Sequence, residues 1–344
     1  NLFLQLLLQI HQSELVTERN ETEMDLLQKS ILRGQGFIRS AKMQRVHLSI
    51  RDLMRAVDLF KYFRKGRGQC IIKEKTELFW HSLILSIGMA FYFRLPQIEA
   101  KFNRAVFEKE MDELLSNRSG LKFRDTLYRH LRFLFDHSVI PPGIAPTDPL
   151  LENLFCTVIS IDAKIPLIIT GPAGCSKTLS FTIAVDNMKG KQSDQELYKN
   201  FCHVHPFRYQ CSEQSTDTEI EATYKSAIDR QKSFEGNDAA MARSVVLLDE
   251  AGLPREDKAP LKVIHYHLDH PIVASVILTN KTLDAAKTNR ALQVLQSSPT
   301  ENDLLALAEG CLFDKEKVKD ISLKHKSIMR GLCAAFRKCN EITL

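Results

Sequence analysis

From Asn1 to about His137 the apolar residues recur at spacings of three and four, as in Ile50, Leu53, Met54, Val57, Leu59 and Phe60. That period lines them up along helix faces and predicts an all-helical stretch without strands. Gly34, Gly36, Gly66 and Gly68 punctuate it, and Arg64-Lys65-Gly66-Arg67-Gly68 reads as an exposed basic turn. Phe79–Phe93 is apolar but carries His81 and Ser82 and ends at Arg94 and Pro96. It predicts a buried helix, too short to span a membrane.

The pattern then changes. Pro141-Pro142-Gly143-Ile144-Ala145-Pro146 excludes a helix and marks a linker over 138–150. Beyond it, short apolar runs alternate with helical spacing. Strands are expected at Ile165–Thr170, Pro206–Cys211, Ser244–Asp249, Ile272–Thr279 and Ala291–Leu295. Helices are expected at Thr178–Met188, Thr218–Phe234, Leu261–Leu268 and Leu283–Asn289, with mobile polar loops at 189–193 and 235–238. Such alternation predicts an α/β fold, a parallel five-stranded sheet flanked by helices. Helical spacing returns at Asn302–Leu312 and Ile321–Arg337, so the chain divides into a helical region (1–137), a linker (138–150), an α/β region (151–300) and a helical segment (301–344).

Composition narrows the class rather than the function. The 344 residues are 44% hydrophobic and 26% charged, as in a soluble globular protein of about two domains. A net charge of +5 with interspersed signs does not call for a nucleic-acid partner. Eight cysteines without a CxxC pair read as reduced thiols of an intracellular protein. Cys202, His203, His205 and Cys211 are too close-set for a tetrahedral zinc site, and His265, His267 and His270 fare no better. Asn1 is followed by the apolar run Leu2–Ile10 without basic residues, so no signal peptide is expected, and the chain reads as a piece of something longer.

The candidate chemistry lies after the first strand of the α/β region. Gly171, Pro172, Ala173, Gly174, Cys175, Ser176, Lys177, Thr178 and Leu179 form a small-residue turn leading into a helix, the context in which backbone N–H groups cradle phosphate. Lys177 would reach the β- and γ-phosphates of ATP, and the Thr178 hydroxyl would hold Mg2+. Ser176 stands where glycine usually precedes the lysine, which is tolerable if its φ is negative.

Seventy-two residues after the lysine, Val245–Leu248 run into Asp249 and Glu250. Asp249 would hold magnesium through water, and Glu250 would activate the attacking water. Asn280, at the end of the Ile272–Thr279 strand, is placed to orient that water without adding charge. Arg290 suits a guanidinium that enters a neighbouring nucleotide site.

These motifs (GPAGCSKT, VVLLDEAGL, ILTN and LDAAKTNRAL) resemble an AAA+ P-loop NTPase core with Walker A and Walker B elements. More narrowly they resemble the mysterin family, giant RING-finger ubiquitin ligases with a dynein-like chain of AAA+ modules. FRYQCSEQSTDTEIEATYKSAIDRQ and DEAGLPREDKAPLKVIHYHLDH add to that likeness, which covers about Leu151–Leu312. It implies ATP binding and hydrolysis, neighbouring AAA+ modules on the same polypeptide, and, in the full-length protein only, ubiquitin transfer with an E2 enzyme. It also implies a cytoplasmic location with lipid-droplet association.

Ser49–Phe63 resembles the second-sensor helix of an AAA+ lid with Arg51 at the sensor position, so the first 137 residues read as the lid of a preceding module. This chain carries no RING-type cysteine spacing, and the second sensor serving Lys177 is expected beyond Leu344. Two alternatives stay open: a catalytically silent ATP-binding scaffold, and an AAA+ nucleic-acid motor or loader.

Overall fold

A computed structural model describes residues 21–40, 49–66, 75–96, 103–234, 241–255, 259–312 and 323–342. The helical region contains α1 (Glu21–Ser40), α2 (Ile50–Arg64), α3 (Lys75–Ala90), α4 (Arg104–Ser119) and α5 (Phe123–Asp136). α2 begins at a capping box in which Ser49 and Asp52 bond reciprocally, satisfying backbone N–H groups that a helix start leaves open. Its buried stripe is Leu53, Ala56, Val57, Phe60 and Phe63, whereas Ile50 and Met54 are 56% and 43% exposed. The expected apolar periodicity therefore included two surface positions. α3 is the buried helix anticipated from Phe79–Phe93, with His81 and Ser82 inside it. Leu2–Ile10, Cys70 and the end of the basic turn lie outside the described residues.

The proline-rich stretch connects α5 to a helix the sequence pattern did not suggest. α6 (Asp148–Ala163) starts where the Thr147 hydroxyl accepts from the Leu150 N–H and Pro149 fills the first turn. It ends at Lys164 in the left-handed conformation. Its side chains are buried from Pro149 to Asp162 on every face, so no amphipathic stripe marks it.

Next come β1 (Leu167–Thr170), α7 (Lys177–Asn187), β2 (His203–Gln210), α8 (Asp217–Lys232), β3 (Ala242–Asp249), α9 (Ile264–Asp269), β4 (Ala274–Thr279), α10 (Ala285–Thr288) and β5 (Leu292–Leu295). α11 (Glu301–Leu312) and α12 (Leu323–Ile342) follow. The expected helix at Leu261–Leu268 is a 3-10 turn, Pro260–Val263, running into α9. The stretch 189–193, expected to be mobile, holds a 3-10 turn and a bridge from Lys189 to His203, while 235–238 lies outside the described residues.

The five strands are parallel, in the order β2-β3-β4-β1-β5. One continuous core runs from Leu26 and Phe60 through Phe155 to Leu167 and Val294, joining the helical region to one face of the sheet. A second cluster around Ile168, Tyr224, Val246 and Ile277 fills the other face under α8 and α9. The helical region is thus built into the wall of the α/β region.

Candidate nucleotide site

Inserting β4 between β1 and β3 decides which residues meet. In a parallel sheet all carboxyl ends lie on one edge, and ligands bind there. Thr170 pairs with Thr279 and Leu248 with Ile277, so the turn after β1, Asn280 after β4 and Asp249–Glu250 after β3 stand side by side. Asn280 is the middle member. Residues a hundred positions apart in the chain become neighbours through strand order alone.

The turn after β1 has the small-residue geometry its sequence suggested. A Cβ on Gly171 would lie 2.7 Å from the Gln296 Cβ and 2.9 Å from the Cys175 sulfur, so only glycine fits. Gly174 has φ +83° with open space around it, and Ala173 and Gly174 form the exposed tip. Ser176 has φ +60°, ψ +26°. The condition that its φ be negative is not met: the serine adopts the left-handed conformation itself.

Pro172 and Leu179 are half-buried, and Cys175 is buried. Burial raises the Cys175 thiol pKa, opposed by the adjacent Lys177 ammonium. Lys177, 7% exposed, donates from Nζ to the carbonyls of Gly171 (2.7 Å) and Pro172 (2.8 Å) and to Asn280 Oδ1 (2.7 Å).

The acids close the constellation. Asn280 donates from Nδ2 to Glu250 Oε2 at 2.7 Å, so one amide links the lysine to the carboxylate. The Thr178 hydroxyl donates to Asp249 Oδ2 at 3.1 Å, and the Glu250 N–H donates to Asp249 Oδ1 at 2.9 Å. Two hard oxygen donors from separate elements, one of them a carboxylate, are what a magnesium ion takes from a protein while keeping waters and phosphate as its other ligands. Glu250 sits at φ +54°, a strained position held by the Ala251 N–H donating to the Leu278 carbonyl.

Arg290 is not part of this group. It precedes β5, whose first residue Leu292 pairs with Leu167, so it lies at the opposite edge of the sheet from Lys177. There Arg290 Nε donates to Asp269 Oδ2 at 2.7 Å, and its guanidinium also reaches the Ala286 carbonyl. Arg51, from the first turn of α2, pairs with Asp269 Oδ1 at 3.3 Å. The neighbouring Arg55 donates to the Asn289 carbonyl at 2.8 Å and to Asp52, with burial pushing its pKa down to about 10 against the pull of Asp52. The arginines singled out as finger and second sensor therefore converge on one carboxylate.

Sequence reasoning missed Asp269, and it missed the side chains behind the turn after β1: Asn153, which donates to the Cys175 carbonyl at 2.8 Å, and Gln296. No motif carries them. The Thr-Asp-Pro start of α6 was the available signal for Asn153.

A sequence model described as the RNF213 AAA domain matches residues 143–303. A putative uncharacterized transmembrane protein of Dictyostelium discoideum is 34% identical over 93% of this chain. The E3 ubiquitin-protein ligases RNF213 of Homo sapiens and Mus musculus are 29% and 31% identical over 90% and 94% of it. In each case the chain spans 6% of the relative's length. The solved structure of C. elegans PCH-2 overlaps 53% of this chain and 52% of its own at 15% identity, with a TM-score of 0.31, too slight a likeness to bear on the fold. Among the described residues no helix is long and apolar enough to cross a membrane. Over residues 143–303, which hold the five-stranded parallel sheet, the chain matches the RNF213 AAA domain, and together with the likeness to the RNF213 ligases this makes it a mysterin-like AAA+ region.

Proposed function

We propose that this chain binds ATP with Mg2+ and hydrolyses it, as one AAA+ module of a mysterin-like E3 ubiquitin-protein ligase. The observation that carries the reading is the convergence of Lys177, Asn280, Glu250, Asp249 and Thr178 at the carboxyl edge of the sheet. Backbone N–H groups of 171–178 and the start of α7 receive the phosphates, and Lys177 leaves its two loop carbonyls to neutralise them. Thr178 and Asp249 would hold the magnesium, which when bound would offset charge on the phosphate oxygens. Glu250 takes the proton of the attacking water while Asn280 keeps its carboxylate aimed, giving ADP and phosphate.

Arg290 acts on a different nucleotide, that of the preceding module, whose lid is the helical region carrying Arg51. Its position at the far edge of the sheet, beside Arg51, supports this assignment. Ubiquitin transfer, with its E2 partner, belongs to the whole ligase and lies outside this chain; a cytoplasmic location follows the same family reading.

Glu250→Gln in the full-length protein tests the mechanism. ATP binding is expected to persist while turnover from this site falls at least about a hundredfold; undiminished hydrolysis would remove Glu250 from the reaction.

One observation favours a second reading, a module that holds ATP without turning it over. Lys177 spends its donors on loop carbonyls and Asn280, so nucleotide must first displace them. Purified wild-type protein retaining unhydrolysed ATP would support it.

A further inference from the structure

A row of buried polar side chains runs from the helical region to the back of the phosphate turn. Arg104, 4% exposed at the start of α4, donates to both oxygens of Glu152 on α6 at 2.6 and 3.1 Å. It also donates to the carbonyl of Leu295, the last residue of β5, at 3.2 Å. Tyr128 of α5 donates to the same carboxylate. Gln296, just past β5, donates from Nε2 to Glu152 Oε2 and to Asn153 Oδ1, each at 3.0 Å. Asn153 then donates to the Cys175 carbonyl. Glu152 and Asn153 are fully buried, and Gln296 is 3% exposed.

The last link bears on the phosphate cradle through the geometry of one peptide unit. The Cys175 carbonyl and the Ser176 N–H belong to the same planar trans peptide and point in opposite directions. Drawing the oxygen back to Asn153 therefore points the Ser176 N–H the opposite way, away from Asn153. It also holds Ser176 in a left-handed conformation that serine does not choose by itself.

One atom of the row is unsatisfied: Gln296 Oε1 is buried without a hydrogen-bond partner among the described residues. Flipping the amide would not help, because its oxygen would then face the oxygens of Glu152 and Asn153. A buried orphan acceptor costs stability and needs a reason. Gln296 thus both holds the row together and carries its one polar atom without a partner.

We propose that Asn153 and Gln296 are positioning residues for the nucleotide site, and that through Glu152 they report its occupancy to α4 and α5. This rests on the ATP-binding reading above. Phosphate entering the cradle engages the Ser176 N–H, the Cys175 peptide shifts with it, and Asn153 and Gln296 re-register on Glu152. Because Glu152 is also held by Arg104 and Tyr128, the displacement arrives at two helices of the preceding region. Coupling of this kind is reciprocal, so those helices also bias the affinity of the turn for nucleotide.

The test uses the full-length protein with Asn153→Ala and Gln296→Leu, reading Mg-ATP affinity, melting temperature without nucleotide, and amide hydrogen exchange over 104–136. Wild type is expected to bind ATP and to slow exchange in 104–119 and 123–136 when ATP is added. Asn153→Ala is expected to weaken ATP about tenfold. Gln296→Leu trades one buried orphan acceptor, Gln296 Oε1, for another, Asn153 Oδ1; compared at ATP concentrations that saturate it, the variant is expected to lose the exchange response while still melting cooperatively.

Unchanged affinity in Asn153→Ala, or a full exchange response in Gln296→Leu, overturns the proposal. Should Asn153→Ala fail to fold, Gln296→Leu decides alone. Wild type that binds ATP without any exchange response overturns the relay only, whereas wild type that binds no ATP overturns the nucleotide-site reading as well.

Discussion

Ser176 shows how a single backbone angle separates a motif from its geometry. The sequence placed a serine where glycine is usual and left its φ to be decided, and the structure sets it at +60°. For a residue with a Cβ that conformation costs about 1–2 kcal/mol. The residue stands between Gly174, itself at φ +83°, and the start of α7, with the preceding carbonyl held by Asn153, and such strain persists where the surroundings fix the chain. Ser176→Gly is therefore expected to stabilise the nucleotide-free protein by about 0.5–1 kcal/mol, the relieved strain less the extra freedom glycine adds to the unfolded chain. A rise in denaturation midpoint checks this, and a fall would show that the serine side chain contributes more than its backbone costs. Glu250, at φ +54°, is a second candidate site residue held in the left-handed region without being glycine.

At the scale of elements, periodicity identified what was amphipathic and passed over what was not. α2 and α8 were legible because their buried and exposed faces alternate with the helical period. α6 was not, because a helix buried on all sides shows no stripe, and the prolines before it drew attention to the linker instead.

The helix pair α3–α5 encloses a polar contact that no pattern announced: His81 Nδ1 lies 2.6 Å from His130 Nε2, with both rings buried. Burial, aided by the His81 ring, pushes His130 down to about 3, and burial also lowers His81, with Glu77 opposing and Arg129 reinforcing. The folded pKa of His130 is thus below the unfolded value of about 6.5, so the unfolded chain binds the proton first. Stability is full above about pH 6.5 and is lost as pH falls from there toward 3. Between pH 7.5 and 5.5 the loss from this residue is expected to be about 1 kcal/mol, measurable by chemical denaturation, and His130→Gln is expected to flatten that part of the profile.

For the molecule as a whole, the decisive contacts join the helical region to the sheet. Arg104 and Glu152 form a buried ion pair in which burial disfavours the guanidinium charge, yet the carboxylate more than restores it and raises the pKa. Arg104→Met alone leaves a buried carboxylate uncompensated and is expected to cost about 3–5 kcal/mol, whereas adding Glu152→Met is expected to recover most of that. A double-mutant cycle by denaturant unfolding reads the difference, and additive losses would contradict it.

On the other side of the molecule Asp269 holds Arg51 and Arg290 together. If these serve a second nucleotide, turnover lost in Arg290→Ala should add to that lost in Glu250→Gln in the full-length protein. An Arg290→Ala loss contained wholly within the Glu250→Gln loss would place both residues on one nucleotide.

The sequence by itself determined the fold class, the strand–turn–helix around Gly171–Lys177 and the candidate residues Lys177, Thr178, Asp249, Glu250, Asn280 and Arg290. Those features are local: apolar runs, small residues and polar strand ends reveal themselves within a few positions. Tertiary structure alone decided that Asn280 bridges Lys177 to Glu250, that Arg290 stands at the opposite edge beside Arg51, and that Asn153 and Gln296 back the turn. Each of these depends on the order of strands in the sheet and on which faces share a core. Such order is set by the summed packing of segments a hundred or more residues apart, and no local spacing records it.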